Sequence, residues 1–282
     1  MAQLIQYVIM FSVILLMLGA GLRISFKQVF DVVKRFQLIA RGLIANFVII
    51  PLIYFLCIRW LPISTDVKIG IMLMAAAPIA PMVIMFVEMA KGELVYSIGL
   101  LTIVSLLSVP LTPLILSLTL PSGGGESILD PLQVVKTILI VQLIPVTVGM
   151  VVRQISPTLA DKLLKFIPRI GQIGLVIGVG LLLASQAKQI LAISFLSHLV
   201  FLGLVIVSLF IGYLMMLGDT ASRQRSLTVS TAVRNIALAL MIANASFQGT
   251  PVAPVTLIFS VYTMVFSILY GKLIAGRKGN TA

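Results

Sequence analysis

The chain has 282 residues, of which 60% are hydrophobic and 10% are charged, and its mean hydropathy is +1.18. Soluble globular domains usually carry about 25% charged residues, so this composition predicts an integral membrane protein surrounded by a lipid bilayer. The formal net charge of +12 does not indicate nucleic-acid binding, because Lys and Arg gather in the cytoplasmic loops of membrane proteins. The single cysteine, Cys57, excludes an intrachain disulfide and a multi-cysteine metal site.

Nine apolar runs are each long enough to cross a bilayer as a helix, which needs about 20 mainly apolar residues. Their connections are short, and none is long enough to form a soluble domain. The sequence therefore predicts an all-α membrane protein with nine transmembrane helices. In chain order the runs are roughly Leu4–Leu22, Gln37–Ile58, Val67–Met89, Leu94–Leu118, Leu132–Val152, Ile167–Gln186, Ile193–Leu217, Ser226–Phe247 and Val252–Ile274.

The basic residues alternate between the two sides of this predicted arrangement. Fifteen of the 20 Lys and Arg residues fall on one side, four fall on the other, and Arg234 lies inside run 8. By the positive-inside rule, this pattern predicts an N-terminus outside and a C-terminus in the cytoplasm. We expect the protein in a bacterial inner (plasma) membrane.

Several other features predict packing and topology. Tyr54 and Trp60, near the outer end of run 2, suit an aromatic belt at the membrane surface. The glycine-rich stretch PSGGGE, residues 121–126, predicts a flexible external loop. Four glycines in run 6 have the spacing that lets helices approach closely, and they are Gly171, Gly174, Gly178 and Gly180.

Run 3 contains two prolines near its middle, in the stretch MAAAPIAP. Pro78 and Pro81 each lack a backbone N–H and clash with the carbonyl four residues earlier. Two prolines three residues apart favour a break in the helix, and the alternative is a kink that serves packing alone. Transporters use broken helices near the membrane midplane to bind solutes, because freed backbone groups survive there only beside protein or a wet cavity.

Run 8 contains one arginine near its middle, in the stretch VSTAVRNIALAL. Arg234 lies nine residues beyond Arg225, which is about 13 Å deeper along a helix and close to the bilayer centre. A charge at that depth costs at least about 2.5–3.5 kcal/mol, so the side chain must face a wet cavity, a partner or a ligand. Ser230 shares a helix face with Arg234, and Thr231 shares the adjacent face with Asn235.

The sequence offers Arg234 no obvious ion-pair partner, because every Asp and Glu falls in a connection or at a helix end. This pattern favours a ligand as the counter-charge. It also leaves no mid-membrane carboxylate to take up a proton or hold sodium. The alternative is a structural arginine that donates hydrogen bonds to the carbonyls of a broken helix.

Six stretches of the sequence resemble the bile acid:sodium symporter family along nearly the whole chain. The last of them, STAVRNIALAL, is similar to the family's penultimate helix, and the other five are LLMLGAGLRISFKQV, ANFVIIPLI, MAAAPIAP, AKGELVYSIGLLTIVS and VPLTPLIL. The resemblance implies a nine-helix, inverted-repeat secondary transporter in which helices 3 and 8 are discontinuous and cross at the midplane. It also implies a core domain of helices 2–4 and 7–9, residues 37–118 and 193–274. This core would move against a panel domain of helices 1, 5 and 6, residues 4–22 and 132–186.

The chain departs from the family pattern where family members hold sodium. In helix 8, the family's glutamate and glutamine correspond to Ser230 and Arg234. Ser97 corresponds to a serine of the family's first sodium site, and Asn46, within ANFVIIPLI, completes our candidate polar set. Sodium needs several oxygen ligands, which apolar side chains cannot supply. After the helix-3 proline, the family has two glycines and then, shortly after, a serine and an asparagine, and the corresponding residues here are Ile79, Ala80, Val83 and Ile84.

The resulting hypothesis is that Arg234 stands in place of a sodium ion and anchors an anionic substrate through its guanidinium fork. The protein would then carry a small organic anion by alternating access without sodium, as a uniporter or an exchanger. The candidate substrate-binding residues are Arg234, Asn235, Ser230, Thr231, Asn46 and Ser97.

Two alternative functions stay open at this stage. One is a sodium-coupled organic anion symporter of the same family with altered ion ligands. The other is a non-transporting membrane receptor or scaffold in which Arg234 is structural. We do not expect an enzyme, a metal site or a cofactor, because the sequence contains neither a nucleophile beside a base nor a ligand cluster.

Overall fold

The computed structural model describes residues 2–34, 36–120 and 131–276. Within these ranges the chain is helical and contains no strand, as the composition predicts. The predicted external loop at 121–126 lies outside the described residues. The protein is an integral membrane protein, because apolar helices of membrane-spanning length account for most of the chain.

Eight segments of the described chain are long and apolar enough to cross a membrane: Leu4–Leu22, Phe36–Arg59, Leu94–Thr119, Leu132–Ile155, Pro157–Ser185, Phe195–Leu214, Ala221–Ser246 and Val252–Ile274. Predicted run 3 is not among these eight, because two shorter helices, Thr65–Ala76 and Val83–Met89, divide it. The total of nine crossings therefore stays a prediction.

The helices are α1 (Ala2–Leu22), α2 (Phe26–Lys34), α3 (Phe36–Ile44), α4 (Ile50–Arg59), α5 (Thr65–Ala76), α6 (Val83–Met89), α7 (Leu94–Thr119), α8 (Pro131–Ile138), α9 (Ile144–Ile155), α10 (Pro157–Leu164), α11 (Ile167–Ser185), α12 (Ala187–Leu191), α13 (Phe195–Leu214), α14 (Ala221–Ala232), α15 (Ile236–Ser246) and α16 (Val252–Gly276). Two π-helical turns, Ala45–Ile49 and Leu139–Leu143, join α3 to α4 and α8 to α9.

One group of helices packs around α1, which contacts α9, α10 and α11. Gly21 of α1 and Gly149 of α9 lie against each other's backbone, so a side chain at either position would collide with the opposite helix. On the other side of α1, three of the four glycines of run 6 lie against α1 as their spacing predicts: Gly171, Gly174 and Gly178. The prediction is wrong for Gly180, which faces open space.

A second group of helices packs around the two interrupted segments. Helix α16 lies against α5 and α15, and α13 lies against α14. Gly212 of α13 makes the last approach possible, because a side chain there would meet Thr228 and Thr231 of α14. This group contains the deepest part of the core, since Leu227, Val229 and every residue of 230–240 are buried.

Two features of the fold escape the count of apolar runs. Helix α2 occupies a connection, and it is amphipathic, with Phe26 and Phe30 exposed beside lysines. The π-helical turns arise near prolines. Pro51 has no N–H to donate to Phe47, and the N–H of Ile50 donates to the carbonyl of Ala45, five residues back.

Candidate functional site

The break between α5 and α6 contains two prolines that cannot complete its helical hydrogen bonds. Pro78 cannot donate to the carbonyl of Met74, and Pro81 cannot donate to that of Ala77. Helix α5 therefore ends at Ala76, and α6 begins at Val83. Both prolines are buried in the intervening segment. The hydroxyl of Thr112, on α7, donates to the carbonyl of Ala76 at 2.8 Å and so satisfies one of the freed groups.

The break between α14 and α15 contains no proline. Helix α14 ends at Ala232, and α15 begins at Ile236. Asn235 is the N-cap of α15, because its Oδ1 accepts a hydrogen bond from the N–H of Leu238 at 3.1 Å. Arg234 therefore lies in the gap, immediately before the cap.

The two breaks are hydrogen-bonded to each other through their main chains. The N–H of Asn235 donates to the carbonyl of Ala77 at 3.0 Å, and the N–H of Ala80 donates to the carbonyl of Val233 at 3.3 Å. The carbonyl of Ala77 is the one that Pro81 leaves without a helical donor. Each interrupted helix thus supplies the hydrogen-bond partner that the other has lost.

The side chain of Arg234 is fully buried, with 1% of its surface exposed. Its Nη1 donates to Oδ1 of Asn46 at 3.3 Å. The Tyr54 hydroxyl also lies close to the guanidinium. Nε and Nη2 of Arg234 have no hydrogen-bond partner among the described residues. A buried charged group with two unsatisfied donors is costly, since each unmade hydrogen bond costs about 1–3 kcal/mol or more.

Asn46 reaches Arg234 from a different membrane segment. It lies in the π-helical turn between α3 and α4, and its side chain is completely buried. Its Nδ2 donates to the carbonyl of Gly42 at 2.9 Å, which turns Oδ1 toward the guanidinium. The amide gives Arg234 an acceptor but no negative charge.

Two neighbours of Arg234 also carry unsatisfied polar atoms. Ser230 Oγ and Asn235 Nδ2 are buried and have no partner in the described part of the chain. Together with Nε and Nη2 of Arg234, they make up four of the six such side-chain atoms there. The unsatisfied polar groups are therefore concentrated at the second break.

Thr231 and Ser97 make their hydrogen bonds away from Arg234. The hydroxyl of Thr231 donates toward the carbonyl of Ser208, on α13, at 2.8 Å, and it also contacts carbonyls of its own helix. The hydroxyl of Ser97 donates to the carbonyl of Glu93 within α7. Of the six predicted binding residues, the structure thus groups Arg234 with Asn46 and, along the chain, with Ser230 and Asn235.

Tyr54 is a neighbour of this cluster that the sequence analysis assigned elsewhere. The prediction that it belongs to an interfacial aromatic belt is wrong, because Tyr54 is fully buried. Its hydroxyl lies 2.8 Å from Oγ of Ser208 and donates to the carbonyl of Leu204. Tyr54 lies eight residues beyond Asn46 on the same segment, and that helical spacing could have indicated a shared face. Trp60, by contrast, is 82% exposed.

The acidic side chains that pair with basic groups do so far from Arg234. Five carboxylates of the described chain form ion pairs: Asp31, Glu88, Glu93, Asp161 and Asp219. Their partners are Lys34, Arg23, Arg223 and Arg153. None of these pairs includes Arg234, and the ranges 2–34, 36–120 and 131–276 contain no cluster of side chains that could hold a metal ion.

Two cavities lie beside α1, one near each end of that helix. The larger has a volume of about 450 Å³ and lies between α1, α6 and α11. Its charged lining residues are Arg23, Glu88, Lys165 and Arg169, and Pro81 of the first break also lines it. Arg23 and Glu88 form an ion pair of 3.2 Å across this cavity, which joins α1 to α6.

The smaller cavity has a volume of about 320 Å³ and lies between α1, α8 and α15. Its polar lining is uncharged and includes Gln6, Gln133, Asn244 and Gln248. Arg234 lines neither of these two cavities. The guanidinium instead lies among the helices of the second group, between the two breaks and the segment of Asn46.

The sequence of the chain matches the model of a known protein family. The model of the Sodium Bile acid symporter family matches residues 10–193 of the chain. That match includes the first break and the segment of Asn46, and it ends before α13.

Known proteins resemble the chain over most of its length. It is 26% identical to the sodium-dependent transporter YocS of Bacillus subtilis, covering 88% of this chain and 77% of that protein. It is 23% identical to the hepatic sodium/bile acid cotransporter of Rattus norvegicus, covering 96% and 76%. It is 24% identical to the protein named "Probable sodium/metabolite cotransporter BASS3, chloroplastic" of Oryza sativa, covering 91% of this chain but only 62% of that one.

Proposed function

Because the chain belongs to the Sodium Bile acid symporter family, we propose that it carries a small organic anion across the membrane without coupling to sodium. Transport would proceed by alternating access. The helices around α1, the panel, would move against the helices around the two breaks, the core. The N-terminus would lie outside and the larger, basic cavity would open to the cytoplasm.

The observation that carries this proposal is the environment of Arg234. Its guanidinium is buried at the second break, its Nε and Nη2 have no hydrogen-bond partner in the described residues, and none of the ion pairs there includes it. A carboxylate or sulfonate would accept both N–H groups in parallel and supply the counter-charge. A sodium ion beside the same guanidinium would be strongly repelled where the dielectric constant is low.

Sodium-coupled symport of an organic anion is the second candidate function. The names of the three relatives described above include sodium, which favours this candidate. Ser230 Oγ and main-chain carbonyls of the second gap are oxygen atoms near Arg234 in sequence that such a site could use. This candidate would require a sodium ion held away from the guanidinium.

Uptake into proteoliposomes separates the two candidates. Radiolabelled taurocholate, pantothenate and pyruvate would be offered in sodium chloride and in choline chloride. We expect uptake of at least one of these anions, with rates that agree within about twofold in the two media. A strict sodium requirement would instead establish the second candidate.

Two matched arginine substitutions test the anchor. Arg234→Gln should abolish uptake, because an amide offers no charge and one donor group in place of the fork. Arg225→Gln removes the same charge from α14, nine residues before Arg234, and should leave uptake unchanged. Uptake that survives in Arg234→Gln would make Arg234 a structural residue, provided that the variant unfolds at a temperature near that of the wild type.

A further inference from the structure

We infer that the donor cluster at Arg234 also binds a compact inorganic anion of the chloride class, and that the transporter therefore exchanges one anion for another. This inference rests on the proposed function and specifies the second ligand of the same site. It concerns the return step, in which the core would otherwise move back with no substrate.

The unsatisfied groups at the second break are almost all hydrogen-bond donors. Arg234 offers Nε and Nη2, Asn235 offers Nδ2, and Ser230 offers a hydroxyl that can donate. The amide oxygens nearby are already in use, because Asn46 Oδ1 accepts from Arg234 and Asn235 Oδ1 accepts from Leu238. A cluster whose free side-chain groups are mainly donors, and whose nearby amide oxygens are occupied, suits an anion.

The charge of the cluster differs between its loaded and unloaded states. With a monovalent anion beside Arg234, the crossing is electrically neutral. Without one, it carries a guanidinium that no carboxylate of the described residues pairs with. An unpaired buried charge is far more costly than a paired one, so the core would move readily only when an anion is bound. Exchange, rather than one-way transport, is the consequence.

The enclosure of the cluster limits the size of the second ligand. Ser230, Arg234, Asn235 and Asn46 are each at most 1% exposed, and Arg234 lines neither of the two cavities beside α1. A single-atom anion can accept N–H groups from several directions in such a site. A carboxylate group of the organic substrate shares this chemistry, but it also requires space for the rest of the molecule.

Chloride itself is the probe for the binding experiment. The unfolding temperature of purified protein would be measured in increasing choline chloride, against the polyanion dextran sulfate, which is too large to enter the site. We expect chloride to raise the Tm of the wild type by about 3 °C or more at saturation. The rise should vanish in Arg234→Gln and persist in Arg225→Gln.

Asn46→Asp is the variant that decides the matter even if Arg234→Gln does not fold. It places a carboxylate where Oδ1 already lies 3.3 Å from Nη1 of Arg234. The variant also loses the hydrogen bond from Nδ2 to the carbonyl of Gly42, so the chloride effect rather than the Tm itself is the readout, and we expect no rise in Tm when chloride is added. An equal chloride effect in Asn46→Asp and the wild type would overturn the inference.

Radiolabelled chloride trapped in proteoliposomes tests exchange. Efflux should be at least about tenfold faster into external chloride than into dextran sulfate, and valinomycin with potassium should not accelerate the slow efflux. Fast efflux into dextran sulfate would mean one-way transport and overturn exchange, while organic anion uptake in choline medium would still support the proposed function. Chloride binding and exchange without any organic anion uptake would support the chloride site and overturn the proposed function.

Discussion

The two interrupted helices differ in what interrupts them. The gap between α5 and α6 contains Pro78, Pro81 and otherwise only apolar residues, and Ile79 adopts a left-handed φ of 21° there. The gap between α14 and α15 contains no proline, and its polar side chains are those of Arg234 and Asn235. The first gap combines two residues that lack an N–H with the left-handed Ile79. The cap of Asn235 and hydrogen bonds from the first gap hold the second one open.

The first break supplies hydrogen-bond partners that the second break needs to stay open. The prolines alone do not account for the first gap, because Pro110 and Pro113 have the same spacing inside the continuous helix α7. The left-handed backbone conformation of a β-branched residue such as Ile79 costs about 1–3 kcal/mol, so it persists only where the surrounding residues are well packed. The N–H of Asn235, in the second gap, needs the carbonyl of Ala77 as its acceptor. Of the two gaps, only the second contains polar side chains. The first gap therefore contributes main-chain geometry, and the second gap contributes the polar side chains that can bind a ligand.

Restoring a backbone donor in the first gap should have the largest effect on transport. In Pro81→Ala, residue 81 gains an N–H that can reach the carbonyl of Ala77, so it competes with the N–H of Asn235 for that acceptor. We expect organic anion uptake to fall by about tenfold or more while the Tm stays the same or rises, since proline is a poor helix former. The measurements are proteoliposome uptake and thermal unfolding.

The matched control is Pro110→Ala, in the continuous helix α7. Pro110 lies inside a helix that tolerates it, on an exposed face away from both breaks. Its replacement should leave uptake unchanged and raise the Tm slightly, if at all. Equal losses of uptake in the two variants would show that the hydrogen bonds between the two breaks have no special role.

Removal of the cap in the second gap should have an intermediate effect. In Asn235→Ala, the N–H of Leu238 loses its acceptor, which costs about 0.5–2 kcal/mol. For a chain of this size that is a fall in Tm of about 2–6 °C. Asn235→Ser keeps a capping oxygen and should recover most of the lost stability. No recovery in Asn235→Ser would mean that the amide, rather than the cap, stabilises the gap.

Much of this comparison could be predicted from local sequence. Two prolines three residues apart favour an irregular segment at Pro78 and Pro81, although the same spacing at Pro110 and Pro113 lies inside the continuous helix α7. The depth of Arg234 and its lack of nearby acids follow from counting along one helix. The charge pattern, the apolar runs and three of the four glycine contacts are likewise properties of single segments or of their spacing.

The remaining features depend on contacts between segments that are distant in sequence. The pairing of Arg234 with Asn46 joins residues 188 positions apart. It depends on a π-helical turn that aims the amide, and apolar patterning does not report such a turn. The burial of Tyr54 cannot be predicted from its own segment for the same reason. An amphipathic tyrosine suits a membrane surface equally well, and only the approach of α13 shows that its hydroxyl is satisfied inside.

Ser230→Ala should have the smallest effect on stability and therefore gives the sharpest test of the polar gap. The hydroxyl of Ser230 has no partner in the described residues, so its loss should change the free energy of unfolding by less than about 1 kcal/mol. If the hydroxyl serves an anion, chloride and organic anion affinities should fall by about three- to tenfold, the worth of one hydrogen bond.

Thr231→Val should behave in the opposite way. The hydroxyl of Thr231 donates to the carbonyl of Ser208, so its loss should destabilise the protein by about 1 kcal/mol. The Thr231 hydroxyl faces α13, so anion affinity should not change. Thermal unfolding and chloride titration of both variants would measure the two quantities. If Ser230→Ala loses stability without losing affinity, then its hydroxyl belongs to the fold, and the polar gap binds its anion through Arg234 and Asn235 alone.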